Sequence, residues 1–147
     1  MYLVCTDVIS ASAPRRGAAA TGLVAWMDDH SGSLYISAVM VAEIEDGIAQ
    51  ARREGARRKA ADLTAWLEAL LHLYASRILV FDLPTARIAG TLSDLARSRG
   101  AAPGFADVAI AATASRHRLT VLTRNMRHFG PMGVPALNPF DGLPMGR

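Results

Sequence analysis

One cysteine in 147 residues leaves this chain unable to form an internal disulfide, and that thiol, Cys5, lies in an apolar run where it reads as a small buried apolar residue. A chain without disulfides suits a reducing compartment. No apolar run reaches the roughly 18 residues a membrane span needs. The N-terminus carries no basic stretch ahead of an apolar one, so no signal peptide is expected and a cytoplasmic location is. There is no Gly-rich phosphate fingerprint, no nucleophile elbow and no Cys or His zinc pattern, which argues against nucleotide-cofactor chemistry. Lysine is almost missing too: Lys59 is the only one, and arginine supplies the rest of the basic side chains.

What is present describes a packed globular chain. Hydrophobic residues make up 51% and charged residues 20%, which excludes a mostly disordered polymer. A chain of this length fits one domain spanning residues 1–147, able to bury roughly 70% of its unfolded surface. The net charge of +3 rests on guanidinium groups, which bind phosphate in a bidentate way and are compatible with a nucleic-acid partner. The densest basic cluster, Arg52, Arg53, Arg57, Arg58 and Lys59, reads more simply as a solvated helix end.

Apolar spacing predicts strands over residues 1–4, 34–36, 78–81, 120–123 and 134–137. Between them it predicts helices over about 21–29, 38–48, 56–75, 84–99 and 106–117, with Thr21 and Ser37 as caps, Pro84 in a first turn and Gly100 as a stop. Residues 10–17 read as a turn-rich loop. Trp66 and the leucines between residues 63 and 71 form one stripe, read as core, although such a stripe could also pack a homodimer. Alternating helices and strands imply an α/β fold: a three-layer α/β/α sandwich with a mostly parallel sheet of about five strands. In such sheets, sites form beyond the carboxyl ends of the strands.

Three segments place a carboxylate at such an edge: Tyr2-Leu-Val-Cys-Thr-Asp-Val-Ile-Ser10, Ser37-Ala-Val-Met-Val-Ala-Glu-Ile-Glu-Asp-Gly47 and Phe105-Ala-Asp-Val-Ala-Ile-Ala-Ala-Thr113. Asp7, Glu43 and Asp107, with Asn125 after a later strand, can therefore converge on one rim. Clustered carboxylates repel one another unless a cation joins them, and Mg²⁺ prefers hard oxygen ligands. Such an ion offsets charge on a phosphodiester and activates the attacking water. Asp107 could equally be an acid favoured near a helix N-terminus, and Glu43 a surface acid.

The same segments, with Arg77-Ile-Leu-Val-Phe-Asp82, Leu122-Thr-Arg-Asn125, Phe129 and Leu137-Asn-Pro-Phe140, occur in an order and spacing that resembles PIN-domain proteins of the VapC type, especially the FitB-like branch. These are the toxin halves of bacterial toxin–antitoxin pairs. The resemblance implies a PIN-like fold, an acidic Mg²⁺ or Mn²⁺ site, ribonuclease activity and a cognate antitoxin. Carried over by position, the first acid falls on Cys5, the second on Glu43, the third on Asp107 and the variable fourth on Asn125. A thiol is a soft ligand and binds Mg²⁺ poorly. Asp7, two residues on, stands where these proteins usually have Asn; in a continuing strand it would face the same side as Cys5 and could replace the lost carboxylate. The resemblance gives Thr6 the role of steadying metal-bound water, against a turn-capping alternative. Arg124 is a candidate phosphate contact or the partner of a surface acid. His30, His72 and His117 show no metal-ligand spacing, and His128 reads as a solvated loop residue. The second expectation is a PIN-fold binding module, catalytically impaired by Cys5, that acts with a DNA-binding antitoxin.

Overall fold

In the computed structural model, which describes residues 1–14 and 21–145, five short parallel strands form one sheet between two layers of helix. The strands are β1 (Tyr2–Val4), β2 (Leu34–Ser37), β3 (Ile78–Leu79), β4 (Thr120–Leu122) and β5 (Ala136–Leu137). Their spatial order is β3-β2-β1-β4-β5, with Leu3 opposite Tyr35 on one side and Val121 on the other. Strands outnumber expectation nowhere, but β3 stops at Leu79 instead of residue 81. It pairs only with β2 at the sheet edge, and Val80 is already exposed.

Alternation along the strands sorts the core onto two faces. Val4, Leu34, Ile36 and Leu122 point into one layer, Leu3 and Val121 into the other, as a side-chain period of two requires. The first layer is built from α2 (Thr21–Asp29), α3 (Ala38–Arg53) and α4 (Arg57–Leu73), which bury Trp26, Met40, Ile44, Ile48, Leu67 and Leu70. Leu67 and Leu70 of the predicted stripe thus belong to the chain's own interior. Trp66 is only half-buried; it packs on this core and its indole N–H donates to Ser12 Oγ at 3.2 Å.

The opposite layer holds α5 (Leu83–Ser98) and α6 (Phe105–His117). Residues 108–114 of α6 are buried without a break, and four of them are alanine. Small side chains let this helix lie between the sheet and α5 without a solvent face. Gly100 follows α5 at φ +76°, the left-handed turn that only glycine adopts without strain. Two short helices were not legible in the sequence: α1 (Thr6–Ile9) and α7 (Met126–Phe129). Of the predicted loop, residues 10–12 form a 3₁₀ turn and the part from residue 15 through Gly17 lies outside the described residues. No helix among the described residues is long and apolar enough to cross a membrane.

Two caps set helices against strand ends. Ser37, buried, accepts from Val39 N–H at 3.0 Å to begin α3. Asp82 accepts from the Thr85 N–H and hydroxyl to begin α5, and these bonds hold its carboxyl below the usual range. Ser37→Ala is expected to cost about 1 kcal/mol, since it strips the acceptor from an otherwise orphaned amide. A urea titration should show a lower midpoint with unchanged slope.

Candidate active site

The strand order reverses at β1: the chain moves outward through β2 and β3, then returns to place β4 on β1's other side. A crevice opens at the carboxyl ends of strands at such a switch. Cys5 is the first residue past β1 and Thr123 the first past β4, and the Cys5 N–H still donates to Leu122 O at 3.0 Å.

Cys5 does not continue the strand. Its carbonyl accepts from the amides of Val8 and Ile9 at 3.1 and 2.9 Å, so the chain turns at once into α1. The expectation that Asp7 shares a strand face with Cys5 is therefore corrected. Asp7 belongs to the first turn of a helix, where an acid opposes the positive end of the backbone dipoles. From there its Oδ2 accepts from Arg124 N–H at 2.7 Å and from the Thr123 hydroxyl at 3.3 Å. Its Oδ1 is buried with no hydrogen-bond partner.

Glu43 lies exposed on α3, with Oε1 accepting the Thr6 hydroxyl at 2.7 Å. Thr6 thus supports Glu43 and caps nothing, for the first turn of α1 has no side-chain cap. Asp107 lies in the first turn of α6, and its Oδ2 meets His128 Nδ1 at 2.7 Å. His128 is consequently half-buried and paired, where the sequence suggested a solvated loop residue. The spacing of Asp107 and His128, 21 residues apart on different elements, carries no local pattern that could have announced the pair. Asn125 precedes α7 with an exposed side chain, and its N–H donates to Thr123 Oγ1 at 3.0 Å. Among the described residues no acid pairs with the Arg124 guanidinium, which lies 3.6 Å from the centroid of the Phe140 ring.

Burial pushes the Cys5 thiol well above its ordinary value, and the charges of Asp7, Asp107 and, more weakly, Glu43 push it further; a hydrogen bond with Thr123 opposes them. All three carboxylates therefore act on one buried sulfur, which stays protonated and neutral at pH 7. None of the three pairs with a Lys or Arg side chain among the described residues. Their oxygens, and above all the unpartnered Oδ1 of Asp7, have the hard-donor chemistry that suits Mg²⁺ or Mn²⁺. The neutral thiol does not. As they stand, Glu43 and Asp107 face Thr6 and His128, and the described residues include no group of three or more His, Cys, Asp or Glu already gathered around an ion position.

The sequence model of the PIN domain matches residues 3–130. The chain belongs to the PIN-domain family. Toxin FitB of Neisseria gonorrhoeae is 36% identical over 141 residues, 95% of this chain and 99% of that protein. A protein named VapC ribonuclease Y4jK, from Sinorhizobium fredii, is 38% identical over 120 residues, 81% and 84% of the two chains. Among solved structures, a chain of FitAcB from N. gonorrhoeae superposes with a TM-score of 0.81 at 37% identity, covering 95% of this PIN domain and 99% of that chain. The three-layer fold with its parallel five-stranded sheet is thus the PIN fold, and the rim just described lies within the matched residues.

Proposed function

We propose that this PIN domain is an endoribonuclease toxin of a toxin–antitoxin pair, hydrolysing RNA phosphodiester bonds with an activated water and silenced by a small antitoxin. The observation that carries the reading is the buried, unpartnered Oδ1 of Asp7 at the carboxyl ends of β1 and β4, where Thr123 and the Arg124 amide hold its other oxygen. It is supported by likeness to relatives that bear the names toxin FitB and VapC ribonuclease.

Asp7, Glu43 and Asp107 would hold Mg²⁺ or Mn²⁺, which when bound supplies Lewis-acid stabilisation of phosphoryl charge and a water of lowered pKa. The chain's own residues prepare that site. Thr6 fixes one oxygen of Glu43 and leaves the other free. Thr123 and the Arg124 amide fix Oδ2 of Asp7, leaving Oδ1 without a partner. The Asn125 amide, exposed at the same rim, is placed to orient a water. Arg124, exposed and with its guanidinium over the Phe140 ring, would meet a phosphate.

Purified protein should cut RNA in Mg²⁺ or Mn²⁺, and EDTA should stop the cleavage. Glu43→Gln, which keeps the shape and removes the charge, should lower the rate about tenfold. Cleavage unaffected by EDTA would exclude the metal-dependent reading.

The neutral thiol at the first-acid position favours a second reading, a PIN-fold binding module that joins a DNA-binding antitoxin without cutting RNA. Expression without the antitoxin separates the two: growth arrest that Glu43→Gln relieves belongs to the nuclease, whereas unimpeded growth belongs to the binding module.

A further inference from the structure

One part-buried contact at the rim has no role in the chemistry proposed for it. His128 and Asp107 meet at 2.7 Å with side chains 39% and 26% exposed, so the bond is partly shielded from water and stronger than a surface pair. The geometry around it is fixed from both sides. Phe129, the next residue, has no exposed surface and anchors the end of α7 in the core; the His128 amide itself donates to Asn125 O at 2.9 Å. Asp107 is held by α6, whose following seven residues are all buried. Both residues are thus tied to buried elements, and the imidazole holds one oxygen of the carboxylate.

We propose that His128 is a positioning residue for Asp107: its Nδ1–H occupies Oδ2 and thereby presents Oδ1 toward the space shared with Asp7 and Cys5. This rests on the metal-dependent reading of the rim. The physical reason is general. A ligating carboxylate with one oxygen pinned has lost its rotational freedom before the cation arrives, and removing such an outer partner costs about 10–100-fold in metal affinity or activity. An ordinary stabilising pair between two surface groups would contribute little to folding and nothing to the ion.

The two roles separate in a Mn²⁺ titration of the apo protein, followed by calorimetry, with wild type, His128→Ala and His128→Asn. The Asn amide nitrogen lies the same number of bonds from the backbone as Nδ1, so it can donate to Oδ2. The expected result is that His128→Ala binds Mn²⁺ about tenfold more weakly, while His128→Asn stays within about threefold of wild type. In turnover the alanine variant should lose kcat with KM for RNA little changed, because the RNA contacts are untouched. If wild type and His128→Ala bind Mn²⁺ equally, the positioning role is overturned while the site itself survives. If Asn fails to restore what Ala loses, the hydrogen bond is not the cause and the proposal also falls. Absence of Mn²⁺ uptake by all three proteins overturns both this proposal and the nuclease reading.

Discussion

Cys5→Asp should raise RNA cleavage about 10–100-fold, the range that separates metal sites with and without a supporting ligand, and should make the protein's stability depend on a divalent cation. Cys5 is 5% exposed, and its thiol is already pushed up by the charges of Asp7, Asp107 and Glu43. A fourth carboxylate placed there without a cation is a buried like-charge, costing on the order of 3 kcal/mol. Its proton would leave the unfolded chain near pH 4 but stay on the folded one to higher pH. The folded state then holds more protons than the unfolded state across that window, so stability of the metal-free variant falls as pH rises through it. Mn²⁺ at a hundred times its dissociation constant should return about 2.7 kcal/mol. Thermal scans with EDTA and with Mn²⁺ should therefore diverge for Cys5→Asp far more than for the wild type. An activity and a melting temperature both insensitive to this substitution would mean that position 5 lies outside the working site.

Phe129→Ala should destabilise the fold by about 3–5 kcal/mol, the cost of emptying a large buried aromatic site. Phe129 is fully buried in the layer that holds Val108, Ile110, Val121 and Met132. The loss reaches the rim as well, because α7 is one turn long and residues in it and just before it carry rim contacts: His128 holds Asp107 and the Arg124 amide holds Asp7. Such a short helix has no stability of its own. Denaturant titration should show the folding loss, and the Mn²⁺ affinity of the folded fraction should drop alongside it. A loss below 1 kcal/mol would show that the interior closes around the gap.

The difference between what was legible in the sequence and what was not follows element length. Helices α3 to α6 each run 13 residues or more, long enough for apolar spacing and signals such as the Ser37 cap, Pro84 and Gly100 to mark their extent. The parallel sheet followed from strands separated by one or two helices each. The four-residue helices α1 and α7 contain barely one turn, too little for a period to show. Both lie at the rim, so the errors gathered there. Reading Asp7 as a strand residue missed that Cys5 O already accepts the first helical bonds. Glu43 and Asp107 were visible as acids near strand or helix ends, and their convergence with Asp7 on one sulfur is what the fold adds. Thr123, which touches both the thiol and Asp7, was passed over because a threonine at a strand end carries no signal of its own. The pairing of Asp107 with His128 depends on α6 and α7 meeting in space, and no spacing in the chain encodes it.

The most direct measurement is an anomalous-difference map from crystals of the wild-type protein soaked in Mn²⁺. The account predicts one strong peak at the carboxyl ends of β1 and β4, with oxygens of Glu43 and Asp107 among its ligands and Oδ1 of Asp7 facing it. A map without density there, or a peak bound away from all three carboxylates, would contradict it.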